Sequence, residues 1–222
     1  MARTQVITFD FYGTLVQWHE ALEIAFREML VRRGLPASGT AALASDFAAE
    51  GRRLRDTPPW KPYREVLRDS VVFALQRAGL AAQDVDSEGL IARVSCIPPH
   101  PDVPAALARL KKRYRLAAIS NTDDDLIAGS LPGLGIALDA VVTAQQAQAY
   151  KPDLRLFRHA HQVLGVTPGE VVHIAASQPL DMAVCRVLGI RAFWVNRRNE
   201  TAEERYRPFT EVATVAEAVP LL

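Results

Sequence analysis

From residue 104 onward the sequence alternates short apolar runs with segments of helical periodicity, and no other feature restricts the fold as much. Residues 116–119, 138–143, 171–175 and 191–195 read as strands. Residues 104–113, 123–131, 153–164 and 179–188 carry helical spacing, with Gly165 and Gly189 as C-terminal stops. Strands joined through helices run parallel when they share a sheet, and the helices cover both of its faces. The expected class is α/β, with a Rossmann-like, mainly parallel sheet.

One more strand precedes this region. Val6-Ile7-Thr8-Phe9 is β-branched and aromatic, ends in Asp10, and runs into turn chemistry at Gly13-Thr14. The pattern then changes. Trp18, Leu22, Ala25, Phe26, Met29 and Leu30 fall at helical spacing, 41–54 forms a second helix, and Val66, Leu67, Val71, Ala74 and Leu75 mark a third. Residues 88–94 add a shorter piece. No strong strand signal occurs from 16 to 95, so this block is expected to be an all-helical insert, with 1–15 and 96–222 forming the sheet domain. Ile97-Pro98-Pro99-His100-Pro101 is a stiff return between them. Trp18 and Phe26 could cover the insert's own core or a second copy, so a homodimer stays open.

Composition excludes several classes of function. Lys and Arg total 26 against 25 Asp and Glu, which gives no electrostatic reason to expect nucleic acid. Cys96 and Cys185 are far apart, without a CxxC or a neighbouring histidine, and are expected to be buried thiols. No stretch approaches the ~18 apolar residues of a membrane span, so a cytoplasmic protein that does not bind membranes is expected. His159 and His161 are two apart on a helix and make a poor metal pair.

The chemistry-bearing residues follow the strands. In a parallel sheet these positions share one edge, where such sheets bind ligands. They are Asp10 and Tyr12; Ser120, Asn121 and Thr122; Tyr150-Lys151-Pro152-Asp153; and Ser177, Gln178 and Asp181. Taken singly, each has a bland reading. Asp10 and Ser120 are cap-forming residue types, Asp181 suits a helix N-terminus, Lys151 suits a surface, and His173 suits a core. Together they form a specific set.

Four segments, in order across the whole chain, resemble the motifs of the haloacid dehalogenase superfamily. Phe9-Asp10-Phe11-Tyr12-Gly13-Thr14-Leu15 resembles the first, Ser120-Asn121 the second and Lys151-Pro152 the third; His173 to Asp181, leading to Leu188-Gly189-Ile190, resembles the fourth. The helical block 16–95 matches the cap inserted after the first motif in many members. Phosphatases of the superfamily carry an acid two residues after the nucleophile and a carboxylate in the fourth motif that helps hold magnesium. Tyr12 and Ala176 stand there instead. Asp-x-Tyr resembles the type II L-2-haloacid dehalogenases, as do Tyr150-Lys151-Pro152-Asp153 and Trp194-Val195-Asn196-Arg197.

That resemblance implies a hydrolase of carbon–halide bonds in short 2-haloacids, working without metal or cofactor. Asp10 would be the nucleophile, Lys151 its orienting cation, and Asp181 would hold Lys151 and activate water. Phe11, Tyr12, Ser120, Asn121, Ser177 and Gln178 would bind the substrate, with Ser120 and the Tyr12 N–H on its carboxylate and Asn121 near the halide. Arg52, Arg53, Arg55, Arg64 and Arg68 are candidates for a cap arginine, and Trp60 and Tyr63 for an aromatic wall. Ala176, Gln178 and Phe157 depart from the family pattern, which expects serine, asparagine and tyrosine there. A magnesium-dependent phosphatase and a catalytically impaired binding protein are the alternatives.

Overall fold

The sheet of this computed structural model, which describes residues 4–222, is built from β1 (Val6–Phe9), β2 (Arg115–Ser120), β3 (Ala140–Thr143), β4 (Val171–Ala175), β5 (Arg191–Val195) and β6 (Thr210–Val212). Their order is β3-β2-β1-β4-β5-β6, and every pairing is parallel. β1 and β4 are buried along their whole length, as a sheet covered on both faces requires. Phe9 is level with Ala118 on β2 and Ile174 on β4. Asp10, the end of β2 and the residues after β4 therefore share one edge. The chain steps from β1 through β2 to β3 on one side, then resumes with β4 on the other. This reversal leaves a crevice at the carboxyl end of β1.

Helices α1 (Trp18–Arg32), α2 (Thr40–Asp56), α3 (Tyr63–Arg77) and α4 (Asp84–Val94) follow β1, and α5 (Val103–Leu110) leads into β2. α6 (Asp124–Ala128), α7 (Ala144–Ala147), α8 (Leu154–Leu164), α9 (Ala183–Leu188) and α10 (Val215–Ala218) come after it. The chain divides into two units. One comprises Met1–Gln17, so far as it is described, with Pro98–Asn121 and Ser130–Leu222; the other comprises Trp18–Ile97 with Thr122–Gly129.

The sheet unit buries large side chains on its strands, among them Phe9, Phe193 and Trp194. Each such side chain contributes about 1.5–3 kcal/mol of transfer free energy. Trp194 also donates its indole N–H to the Ala176 carbonyl at 3.0 Å, which satisfies its polar edge inside the core. In the helical unit Phe26 is fully buried and meets Phe47 edge-on at 5.4 Å, so it belongs to that unit's own core. Cys185 is buried as expected, but Cys96 is exposed.

The segment after β2 differs from its expected form. α6 is five residues long and stops before Gly129, and Pro132 then lies in a tighter turn over Leu131–Leu134. Gly129 has no room for a side chain, since a Cβ would fall 2.2 Å from the Ser95 carbonyl oxygen. The Asp123 side chain does not cap its own helix. Its two carboxylate oxygens accept from Tyr63 N at 2.9 Å and Arg64 N at 2.8 Å, capping α3 from a distant part of the chain. β6 and α10 are too short to stand out in the sequence, and they form against β5 and α5 respectively.

Candidate active site

The turn after β1 sets the site. Asp10 continues the strand pairing by donating its N–H to the Ile174 carbonyl at 3.1 Å. Gly13 then adopts φ +84°, a left-handed conformation that a side chain would strain. This folds Thr14 back under the aspartate. The Thr14 hydroxyl donates to Asp10 Oδ2 at 2.8 Å and accepts the Ala176 N–H at 2.8 Å, tying the ends of β1 and β4 together.

Lys151 reaches the same carboxylate from the loop after α7. Its ammonium nitrogen lies 2.8 Å from Asp10 Oδ1 and 2.7 Å from Asp181 Oδ1, and its side chain is only 1% exposed. Asn121 clamps that loop at both ends of the residue. Its side-chain oxygen accepts Lys151 N–H at 2.7 Å and its NH2 donates to Lys151 O at 3.3 Å. The amide expected near a leaving group is thus engaged in holding the lysine.

Asp181 comes from a turn of wider pitch, Gln178–Met182, in which Met182 N–H reaches back to the Ser177 carbonyl at 3.3 Å. Its carboxylate is buried, and Oδ1 also lies 3.0 Å from His173 Nε2 on β4. Oδ2 has no hydrogen-bond partner among the described residues, and neither has the buried hydroxyl of Ser120. Two buried polar atoms without partners in a single site are unusual, and they are the atoms a ligand or water would satisfy.

Three charges in so little solvent shift one another. Burial, reinforced by the charge of Asp181, raises Asp10 above the ordinary aspartate range despite Lys151 and Thr14. Burial pushes Asp181 the same way, but Lys151 and His173 outweigh it and hold Asp181 low. Lys151 is raised: burial opposes its charge, and the two carboxylates overcome that. The ammonium therefore stays charged, and the two acids titrate as a pair.

The remaining expected residues take other positions. Phe11 is fully buried and meets the Tyr12 ring edge-on at 5.3 Å, so it supports Tyr12 from within the core. Ser177 accepts the Leu180 N–H at 3.3 Å as the cap of the Asp181 turn. Gln178 differs from its expected role beside the water. Its NH2 donates to Thr201 O at 3.0 Å and its oxygen accepts Glu203 N–H at 2.8 Å, so both halves of the amide hold the loop after β5. Phe157 packs edge-on to His173 at 5.0 Å.

Residues outside the expected set complete the support. Arg197 spans Asp102, at 2.9 and 3.2 Å, and the Thr14 carbonyl, at 3.0 Å. Asp102 also accepts from Val215 N and Ala216 N. Burial raises this carboxyl, but the bidentate Arg197 holds it below the usual range. Thr14 and His173 fall within the first and fourth motif segments without a role assigned to them there, and Asp102 is a polar residue beside an apolar segment, a signal too common to single it out. In the helical unit Arg53 pairs with Glu50, Arg64 with Asp125 and Arg68 with Glu88, while Arg52 and Arg55 have no ion-pair partner among the described residues.

No three His, Cys, Asp or Glu side chains cluster among the described residues as a metal site would require, and no described helix is long and apolar enough to cross a membrane. Magnesium prefers hard oxygen ligands, usually carboxylates. Here position 12 is a tyrosine, position 176 presents a methyl group, and both Asp10 oxygens already accept hydrogen bonds. The donor set does not fit that ion.

Known proteins of the same kind exist. The chain is 26% identical over 224 residues to (S)-2-haloacid dehalogenase 4A of Burkholderia cepacia, covering 96% of this chain and 93% of that one. It is 30% identical over 203 residues to a phosphoserine phosphatase of Thermus thermophilus, covering 88% and 80%. A crystal structure described as a dehalogenase with an intermediate complex superposes with a TM-score of 0.89 at 23% identity, over 100% of this chain and 98% of that one. The sequence model of the haloacid dehalogenase-like hydrolases matches residues 4–189, a span that takes in Asp10, Lys151 and Asp181. The chain belongs to the haloacid dehalogenase-like hydrolase family.

Proposed function

We propose that the protein hydrolyses short 2-haloacids to 2-hydroxy acids and halide, without a metal, through an ester on Asp10. The observation that carries this reading is the pairing of Asp10 with a buried ammonium in a site that holds neither a second acid at position 12 nor one at position 176. Halide leaves as an anion and needs no proton, so an acid at position 12 is dispensable. A phosphoryl group carries more charge and relies on metal neutralisation.

In the first step an Asp10 oxygen attacks the α-carbon. A C–O bond forms, the carbon–halogen bond breaks, and halide departs with the bonding pair. Lys151 and Thr14 keep Asp10 ionised and oriented. In the second step water attacks the Asp10 carboxyl carbon while Asp181 takes a proton from it. The carbon–oxygen bond to the substrate then breaks, and the departing alkoxide is protonated to the 2-hydroxy acid. Asp10 is regenerated with one oxygen from water, and one proton is released overall. The unpartnered Ser120 hydroxyl and the Tyr12 N–H bind the substrate carboxylate. The substrate is a small molecule, and a cytoplasmic location suits this chemistry.

The test is halide release from chloroacetate and L-2-chloropropionate, with and without EDTA, by the wild type and Asp10→Asn. Release that resists EDTA and vanishes in the variant is expected; release independent of Asp10 would falsify the proposal. The 30% identity to a phosphoserine phosphatase favours a second reading, phosphomonoester hydrolysis. Magnesium-dependent turnover of phosphoserine, abolished in Asp10→Asn, would establish that instead.

A further inference from the structure

We propose that His173 is a positioning residue that fixes the plane of the Asp181 carboxylate, so that its open oxygen faces the hydrolytic water. The inference rests on the haloacid reading above for its chemistry, and on the following geometry for its substance. Lys151 Nζ, at 2.7 Å, and His173 Nε2, at 3.0 Å, converge on the same oxygen, Oδ1. Oδ2 is left buried and without a partner among the described residues. With Lys151 alone the carboxylate could swing about its Cβ–Cγ bond while keeping that one contact, and its other oxygen would move with it. A second donor from another direction locks the plane and keeps Oδ2 as the open acceptor.

The imidazole is itself anchored. His173 is the register partner of Thr8 on the central strand, and its Nδ1 lies 2.8 Å from the Thr8 hydroxyl. A carboxylate only accepts, so Nε2 carries a hydrogen toward Asp181. Nδ1 then accepts from Thr8 when the ring is neutral, or donates to it when the ring is charged. In the second case the Thr8 hydroxyl can turn toward the Val172 carbonyl, 3.5 Å away. Phe157 closes one side of the ring. The charged and titratable groups around this centre are Asp181, Lys151 and Asp10, with His161 on α8 and Cys185 on α9. Burial, and then the neighbouring His173, lowers His161; burial, and then Asp181, raises the Cys185 thiol. Neither supplies a competing donor to Oδ2.

His173→Phe removes the donor while keeping a ring in the cavity. His173→Gln places an N–H near the former Nε2, whereas His173→Asn reaches only toward Thr8. In the Phe and Asn variants the ester on Asp10 is expected to form at a rate within about threefold of wild type and to hydrolyse about 10- to 100-fold more slowly, the kinetic equivalent of one hydrogen bond to a charged group. The adduct then accumulates on the Asp10 peptide by mass spectrometry, and His173→Gln recovers most of the hydrolysis rate. A second readout needs no turnover. The carboxyl 13C resonance of Asp181 should titrate at higher pH in His173→Phe than in wild type and return in His173→Gln. If the Phe variant does not fold, the Gln and Asn pair decides alone. Wild-type hydrolysis in Phe and Asn, or an Asp181 titration that ignores position 173, overturns the inference. A wild type that releases no halide and forms no adduct refutes the haloacid reading instead, and the titration still decides the role of His173.

Discussion

Replacing Lys151 with methionine keeps most of the buried stem and removes the charge together with its hydrogen bonds to Asp10 and Asp181. The nitrogen lies 2.8 Å from Asp10 and 2.7 Å from Asp181, in a side chain that is 1% exposed. At an effective dielectric of about 20, each contact carries about 6 kcal/mol of Coulomb attraction, largely offset by the desolvation of the three ions. Removing the cation leaves that desolvation in place and sets two carboxylates against each other, a loss of about 3–5 kcal/mol. The sign of the pH dependence follows. In the wild type Asp181 is held low, so its contribution is present above its unfolded value and lost as pH falls through its folded value. Asp10 is raised already in the wild type and works the other way; without Lys151 both acids rise further, so more stability is lost as pH rises toward their new folded values. The difference between the two proteins must therefore widen from acid toward neutral pH, by at most about 1.4 kcal/mol per pH unit for each proton taken up. Urea unfolding at about pH 5 and pH 8 measures it. A loss below about 1 kcal/mol at both, or the same loss at both, would refute the account of Lys151 as a buried counter-ion.

Three further outcomes are expected. Thr14→Val keeps the shape of a fully buried side chain but leaves the Ala176 N–H unpaired; urea unfolding should show a loss of about 1–3 kcal/mol, and the first step should slow by at least about tenfold. An unchanged burst of halide would contradict its role in orienting Asp10. Asp181→Asn removes the negative charge that helps raise Asp10, so the acid limb of the halide burst should move to lower pH; a limb that stays or rises tells against the coupling. Arg197→Lys loses the fork that spans Asp102 and the Thr14 carbonyl, and thermal melting should reveal a loss of about 1–3 kcal/mol even though the charge is retained. Melting indistinguishable from wild type would show that the charge alone suffices.

The gathering of Asp10, Lys151 and Asp181 was legible because each follows a strand or closes a loop at the same edge of a parallel sheet. The strands themselves were legible from apolar runs, and α8 from its spacing and the glycine that ends it. What escaped the sequence depends on where long side chains find backbone partners. Asn121 is spent on Lys151, and Gln178 on residues 201 and 203, because the loops after β3 and β5 bring backbone groups within reach. Nothing in local composition announces such a meeting. The division at residues 122–129 escaped for a similar reason. Asp123 looks like an ordinary acid in a helix's first turn, and its tie to α3 crosses some sixty positions of sequence. His173 reads in the sequence as a core residue, and the register that places it beside Thr8 is a property of the assembled sheet.

The indole of Trp194 gives the site a built-in optical probe. Its N–H holds the Ala176 carbonyl, the Ala176 N–H holds Thr14, and Thr14 holds Asp10. Trp194 is fully buried, while Trp18 and Trp60 are partly exposed, so it should dominate the blue edge of the protein's intrinsic fluorescence. When Asp10 becomes an ester, its oxygen is a weaker acceptor for Thr14, and the change passes through one residue, Ala176, to the ring. Stopped-flow emission, with Trp194→Phe as the blank, would then time the birth and loss of the intermediate with no added dye.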